Sequence, residues 1–308
     1  MAVHEPVLVR EVVEALAPRE GDLLVDATVG LGGHATALLQ AAPGSRLVGF
    51  DLDPSALALA GTALAPFGDR VRLVNASYRE MAPHLAELGI DAVDGIVFDL
   101  GVSSLQLDTP ERGFSFRYDG PLDMRFGSGG PTAADLLAGA SEEELMQILR
   151  EYGEEPRARR VARAIVRARE TRPITRTGDL RAIVLAALGR GRGRIDPSTR
   201  TFQALRIATN RELDGLSDSL ENASHLLRPT RRIAVIAFHS LEDRIVKRTF
   251  RHLSGRCVCP PGTGRCTCDP QELLEVVTRR PLWPAEEEVE RNPRARSARI
   301  RVAERRAG

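Results

Sequence analysis

The sequence predicts an α/β fold, a mostly parallel sheet flanked by helices, interrupted by an inserted helical domain. Three observations predict it. Short apolar runs alternate with helical stretches over the first hundred residues. A glycine-rich turn joins the first run to the first helix. Strand signals then stop near residue 101 and resume only near residue 232.

Residues 23–27 (Leu-Leu-Val-Asp-Ala) form a short apolar run bounded by Gly21 and the glycine-rich turn, the pattern of a buried strand. A helix follows over 34–42 and stops at Pro43-Gly44. Residues 46–50 are a second strand, 54–64 a second helix and 70–75 a third strand. Residues 78–88 are helical with an interruption at Pro83, and 92–100, with Val93, Ile96, Val97 and Phe98, are a fourth strand. Strands and helices alternating through short loops imply parallel pairing with right-handed crossovers. Residues 101–131 are rich in Gly, Ser, Asp and Pro and have no period. From 133 to about 188 the signals are helical only. A long helix is expected over 202–227 and a fifth strand over 232–238. Residues 274–277 and 298–302 then have the propensity to pair as a closing hairpin. The expected domains are a discontinuous core, 1–110 with 200–308, and a helical insertion, 111–199.

At 308 residues the chain is long enough to bury a core without disulfides or metals. It is 43% hydrophobic and 28% charged, an ordinary globular balance. No apolar run reaches the roughly 18 residues of a membrane span, and the first residues lack the basic-then-apolar pattern of a secretory signal. A cytoplasmic protein is therefore expected. Net charge is +1, but Lys247 is the single lysine among 43 basic residues, so 42 are arginine. A GC-rich genome is the plain reading of that bias. Arginine nonetheless suits bidentate phosphate contacts. Arg159, Arg163 and Arg167 are spaced four apart and make one helical stripe, while Arg190, Arg192 and Arg194 make a basic loop.

The glycine-rich turn reads Asp26-Ala27-Thr28-Val29-Gly30-Leu31-Gly32-Gly33-His34-Ala35. Glycines there let a ligand approach the backbone at a helix N-terminus. Asp51 ends the second strand 21 residues after Gly30, where a carboxylate can accept both ribose hydroxyls. The pair points to an adenosine-containing ligand, without separating a nicotinamide dinucleotide from S-adenosylmethionine. Asp99 ends the fourth strand and is followed by Ser103, Ser104 and Gln106, a set suited to orienting and deprotonating an amine. Phe114 and Phe116 lie beside Arg112, Arg117 and Arg125 in one loop, so they could stack an extruded base or simply anchor the loop. After the fifth strand, Ser240 is expected to cap a helix whose first turn holds Glu242. Cys257, Cys259, Cys266 and Cys268 fall within twelve residues as two C-x-C pairs, which could hold a structural zinc or remain free thiols.

Together these segments resemble the bacterial small-subunit ribosomal RNA cytosine-N4 methyltransferases. The resemblance runs nearly end to end. It takes in His4-x-Pro6-Val7-Leu8, the glycine turn, Asp51-x-Asp53-Pro54, the 99–108 segment, Arg112-Gly113-Phe114-Ser115-Phe116 and the 119–125 segment. It continues through Thr201-Phe202-Gln203-Ala204-Leu205-Arg206-Ile207, Phe238-His239-Ser240-Leu241-Glu242-Asp243-Arg244 and Asn292-Pro293-Arg294-Ala295-Arg296-Ser297. It implies a class I S-adenosylmethionine-dependent, Rossmann-like methyltransferase core and an inserted RNA-recognition domain. It also implies methylation of a cytosine in the decoding region of the small ribosomal subunit. By position, Gly32, Gly33 and His34 would contact the methionine part of the cofactor, Asp51 the ribose and Tyr78 the adenine, with Asp99 and Gln106 completing the pocket. The cysteine cluster is not implied by the resemblance.

Many amino-methyltransferases carry Asp/Asn/Ser-Pro-Pro-Tyr/Phe after the fourth strand, where this chain has Asp99-Leu100-Gly101-Val102. Base stacking must then come from elsewhere, with Phe114 and Phe116 as candidates. Asp99 is the expected catalytic acceptor, and Arg125, Arg159, Arg163 and Arg167 are expected to hold small-subunit rRNA. A second copy of the chain is the one protein partner envisaged. Two rival readings remain. A nicotinamide oxidoreductase shares the turn and Asp51 but leaves residues 112–125 and the basic insertion unexplained. A non-enzymatic RNA-binding factor shares the arginines but needs no cofactor pocket.

Overall fold

The computed structural model describes residues 6–189 and 196–307. His4 and the loop with Arg190, Arg192 and Arg194 lie outside the described residues. The chain opens with α1 (Val9–Leu16), then β1 (Leu23–Asp26), α2 (Gly33–Ala41), β2 (Arg46–Asp51), α3 (Pro54–Leu64), β3 (Val71–Asn75), α4 (Met81–Glu87) and β4 (Val93–Asp99). Six helices follow, α5 (Ser104–Asp108), α6 (Ala133–Gly139), α7 (Glu142–Glu151), α8 (Ala158–Thr171), α9 (Thr177–Leu188) and α10 (Ser198–Asn210). The chain then adds α11 (Leu216–Leu226), β5 (Leu227–Ala237), α12 (Ser240–His252), β6 (Leu274–Val276), α13 (Glu286–Arg291) and β7 (Arg299–Arg305). No helix among the described residues is long and apolar enough to cross a membrane.

Two compact units result. The first comprises residues 1–101 and 215–308, the second residues 102–214. The second is wider at both ends than the 111–199 expected, because hydrophobic burial draws its boundaries. Val102 and Leu107 pack on its core, and Phe202, Ala204 and Leu205 of α10 are part of that core.

The first unit is a seven-stranded sheet in the order β3-β2-β1-β4-β5-β7-β6. The first five strands run parallel, β7 is antiparallel to β5, and β6 is antiparallel to β7. This is the mostly parallel α/β core expected, and the closing hairpin falls where strand propensity placed it. Its strands are near-continuous apolar runs because both faces are covered. Val25, Phe50 and Phe98 are buried on one side with α4 and α11 residues, whereas Leu24, Leu47 and Val97 are buried on the other with α1 and α2 residues. Burying each such side chain contributes about 1.5–3 kcal/mol.

Three elements differ from expectation. α1 precedes β1 and was not expected. The long helix of 202–227 is two helices, broken where Arg211 (φ 50°) and Gly215 (φ 65°) take left-handed conformations. Pro83 does not interrupt α4, because it sits in the first turn where its missing N–H is unneeded.

Candidate active site

Strand order reverses between β1 and β4, the switch point at which open α/β sheets bind ligands beyond the carboxyl ends of their strands. Each strand around that point ends in a carboxylate: Asp26 closes β1, Asp51 closes β2 and Asp99 closes β4. The glycine turn lies over them. Gly32 takes φ 85°, a conformation an L side chain resists, and a Cβ on Gly33 would stand 2.6 Å from Pro6 Cγ. The turn is fixed by the strand ends themselves. Gly30 N–H donates to Asp51 Oδ2 at 2.8 Å, and Asp99 N–H donates to Thr28 Oγ1 at 2.6 Å. Asp51 Oδ1 also accepts from Asp53 N–H at 2.8 Å. A second lone pair remains on each Asp51 oxygen, enough for two ribose hydroxyls.

His34 stands in the first turn of α2 and is buried. Its Nε2 lies 3.4 Å from Asp99 Oδ2, an ion-pair distance without hydrogen-bond alignment. Asp99 Oδ1 and Asp26 Oδ2 are buried and accept no hydrogen bond among the described residues. Buried acceptors without donors are costly, about 1–3 kcal/mol each, and mark places where a ligand can supply the proton. Burial pushes the Asp26 carboxyl up to about 7, against the opposing pull of His34 and of Thr28 N–H. Burial likewise raises Asp51, despite the backbone N–H groups of Asp53, Gly30 and Leu52. For His34, burial disfavours the imidazolium, but Asp99 and Asp26 outweigh it and hold the ring above its usual range. A cluster of carboxylates short of donors is matched to a cationic ligand.

These shifts share one sign. A raised acid opposes folding as pH climbs from the ordinary carboxylate range through about 7 for Asp26. A raised histidine contributes stability that is complete below its unfolded pKa and lost as pH rises through the folded one. The ligand-free chain should therefore lose thermal stability as pH rises from the ordinary carboxylate range through about 7, and Asp26→Asn should flatten the slope. Melting temperatures across that range check it. A parent profile that rises with pH would count against the buried cluster.

Tyr78 lies just past β3, its ring edge-on to Phe98 with centroids 5.6 Å apart. Ser240 is not the cap of α12. That position belongs to His239, whose Nδ1 accepts from Glu242 N–H at 3.4 Å while Glu242 Oε2 accepts from Phe238 N–H at 2.8 Å. The chain enters the helix one residue earlier than expected, because His239 keeps extended backbone angles and Ser240 is already helical.

The second unit holds Gln106, expected in the cofactor pocket, and the residues expected to meet substrate. Gln106 is buried and its Oε1 closes a capping box on Ser103 N–H at 3.0 Å. Phe114 is a core side chain stacked on Phe126 at 5.6 Å, so it anchors the loop and offers no open face for a base. Phe116 is half-buried, edge-on to Phe202 at 5.0 Å with the Arg181 guanidinium 5.6 Å from its ring. Tyr118, not among the stacking candidates, is the exposed aromatic of this loop at 60% accessibility. Arg125 is spent internally. Its Nε and Nη2 grip Asp123 at 2.8 Å each, and its Nη1 reaches the carbonyls of Ser128 and Gly130. Among the described residues it thus acts as a loop staple. Arg159, Arg163 and Arg167 do form one exposed stripe on α8. Arg163 approaches Glu142 at 3.4 Å, whereas Arg159 and Arg167 make no ion pair among the described residues.

Comparison with known proteins places the chain in a family. A ribosomal RNA small subunit methyltransferase H of Geobacter sulfurreducens is 53% identical over 305 residues, covering 98% of each chain. The protein of the same name from Solidesulfovibrio magneticus is 51% identical over 309 residues, covering 98% of this chain and 95% of its own. Among solved structures, a putative rRNA methylase from Clostridium thermocellum aligns over 99% of this chain and all of its own, at 15% identity and a TM-score of 0.44. The profile of the MraW methylase family matches residues 1–306. With strand-end carboxylates beneath a glycine turn and half its residues shared with named methyltransferases, the chain belongs to the MraW methylase family.

Proposed function

We propose that this protein methylates the exocyclic N4 of a cytosine in the decoding region of small-subunit ribosomal RNA, in the cytoplasm, using S-adenosylmethionine. The observation that carries the reading is the Asp99 carboxylate, with Oδ2 facing His34 and Oδ1 buried without a donor. The names of its relatives supply the RNA.

The residues fit the cofactor. The glycine turn would admit its methionine end, Asp51 would accept ribose hydroxyls, Tyr78 would flank the adenine, and the strand-end carboxylates would face its positive charge. When bound, the cofactor supplies an electrophilic methyl group on sulfur. Cytosine N4 is a poor nucleophile because its lone pair is delocalised into the ring. Asp99 Oδ1 would accept an N4 hydrogen, which would localise that pair on nitrogen for attack on the methyl group. The N4 proton would pass to the Asp99 carboxylate. Holding both reactants in line supplies much of the acceleration. The base must be extruded to reach the strand ends. The α8 stripe contributes phosphate contacts.

Methyl transfer from labelled cofactor to small subunits lacking the modification, to naked rRNA and to DNA tests the reading. Label on N4 of one subunit cytosine is expected, and no label on any RNA would overturn it. Two variants separate the parts. Asp51→Ala should weaken cofactor affinity about 10–100-fold by calorimetry, the loss of hydrogen bonds to a charged acceptor. Arg159→Glu with Arg167→Glu should leave that affinity alone, weaken RNA binding and lower the salt slope by about 0.7–0.9 per lost contact.

A further inference from the structure

We propose that Cys257, Cys259, Cys266 and Cys268 together bind one zinc ion, a structural tetrathiolate site in the loop between α12 and β6. The Sγ atoms all lie within 4.8 Å of one another. Consecutive separations are 3.9 Å for Cys259 to Cys266, 3.3 Å for Cys266 to Cys268 and 3.8 Å for Cys268 to Cys257. A tetrahedron with zinc–sulfur bonds of about 2.3 Å has edges of about 3.8 Å. The thiols therefore already stand near the corners of the coordination polyhedron.

The loop has little else to hold it. From Arg256 to Cys268 no residue is buried, so no apolar core explains why four side chains converge. Free thiols gain little from meeting, since S–H is a weak donor and sulfur a weak acceptor. Two separate disulfides would require only pairwise approach. The backbone does have the geometry that presents two C-x-C pairs to one point. Gly262 takes φ 87° after Pro260-Pro261, and Thr263 closes the turn through its N–H and hydroxyl onto the Pro260 carbonyl, at 3.2 and 2.8 Å. Val258 N–H donates to Cys268 Sγ at 3.4 Å, the kind of N–H···S bond that steadies a thiolate ligand. Arg248 and Arg251 of α12 reach the carbonyls of Val258 and Cys257, tethering one arm to the helix. Four thiolates fill a tetrahedral shell and leave no open position, so the ion would be structural and would take no part in methyl transfer.

The test uses the full chain, purified without chelator, and reads metal rather than activity. Elemental analysis should find about one zinc per chain. Cobalt substituted for it should give thiolate charge-transfer and tetrahedral ligand-field absorption. Cys259→Ser and Cys266→Ser, on opposite pairs, should each release the metal and open residues 257–268 to protease. Four titratable thiols with no bound zinc, a mass showing two disulfides, or a coloured iron product would each overturn the proposal. None of these outcomes depends on whether the RNA reading holds.

Discussion

Replacing Asp99 with alanine should lower methyl transfer by about 10²–10⁴-fold, the range for a positioned acid–base group. The effect should fall mainly on kcat at saturating cofactor. Asp99 lies where β4 ends, and its backbone N–H holds Thr28 of the glycine turn, an anchor that survives side-chain truncation. The variant therefore keeps the pocket while losing the acceptor and the partner of His34. Asp99→Asn sharpens the experiment. It keeps the shape and one acceptor oxygen but cannot take a proton, so a residual rate above that of alanine would measure orientation alone. Single-turnover transfer from labelled cofactor is the measurement. Intact turnover in both variants would remove Asp99 from the mechanism.

The largest stability effect is expected at Gly120. A Cβ there would lie 1.9 Å from the carbonyl oxygen of Pro110 and 2.7 Å from its carbon. Those are backbone atoms, which cannot turn aside as a flexible side chain can. Gly113 meets the same loop from the other side, 2.2 Å from the Pro121 carbonyl oxygen and at φ 70°. Residues 110–123 are thus two chain segments pressed together without room for a methyl group. Gly120→Ala should cost about 3 kcal/mol or more, beyond ordinary overpacking. Gly129→Ala, with nothing within 4 Å, should change stability by no more than about 0.5 kcal/mol. Denaturant unfolding of the pair decides the matter, and equal midpoints would refute the close approach.

Much of the sheet was legible because parallel strands buried on both faces are unbroken apolar runs. Asp51 and Asp99 were legible because each terminates such a run at a spacing with a known chemical use. Asp26 was not singled out, though it ends β1 in the same way. An acid beside glycines reads as a turn former, and only burial reveals its raised pKa. The break at Arg211 had no sequence signal, since arginine rarely takes a left-handed conformation. Phe114 and Phe116 look alike in sequence, and tertiary packing alone separates the buried anchor from the half-open ring. Arg125 shows the same limit, because Asp123 two residues away was a partner the spacing did not reveal.

β4 and β5 are neighbours in the sheet, yet Asp99 and Leu227 are separated by roughly 130 residues of chain. The whole helical unit lies between them. At about 5–20 residues per second, some 6–25 s of translation elapse between the completion of β4 and the arrival of β5. During that interval the half-built sheet exposes the β4 edge, while the continuous helical unit has all of its own sequence and can fold. The guest is therefore finished before its host. A nascent chain paused by the ribosome after residue 214 should carry a protease-resistant helical unit on an open sheet, a stage at which chaperone capture of the β4 edge would be strongest.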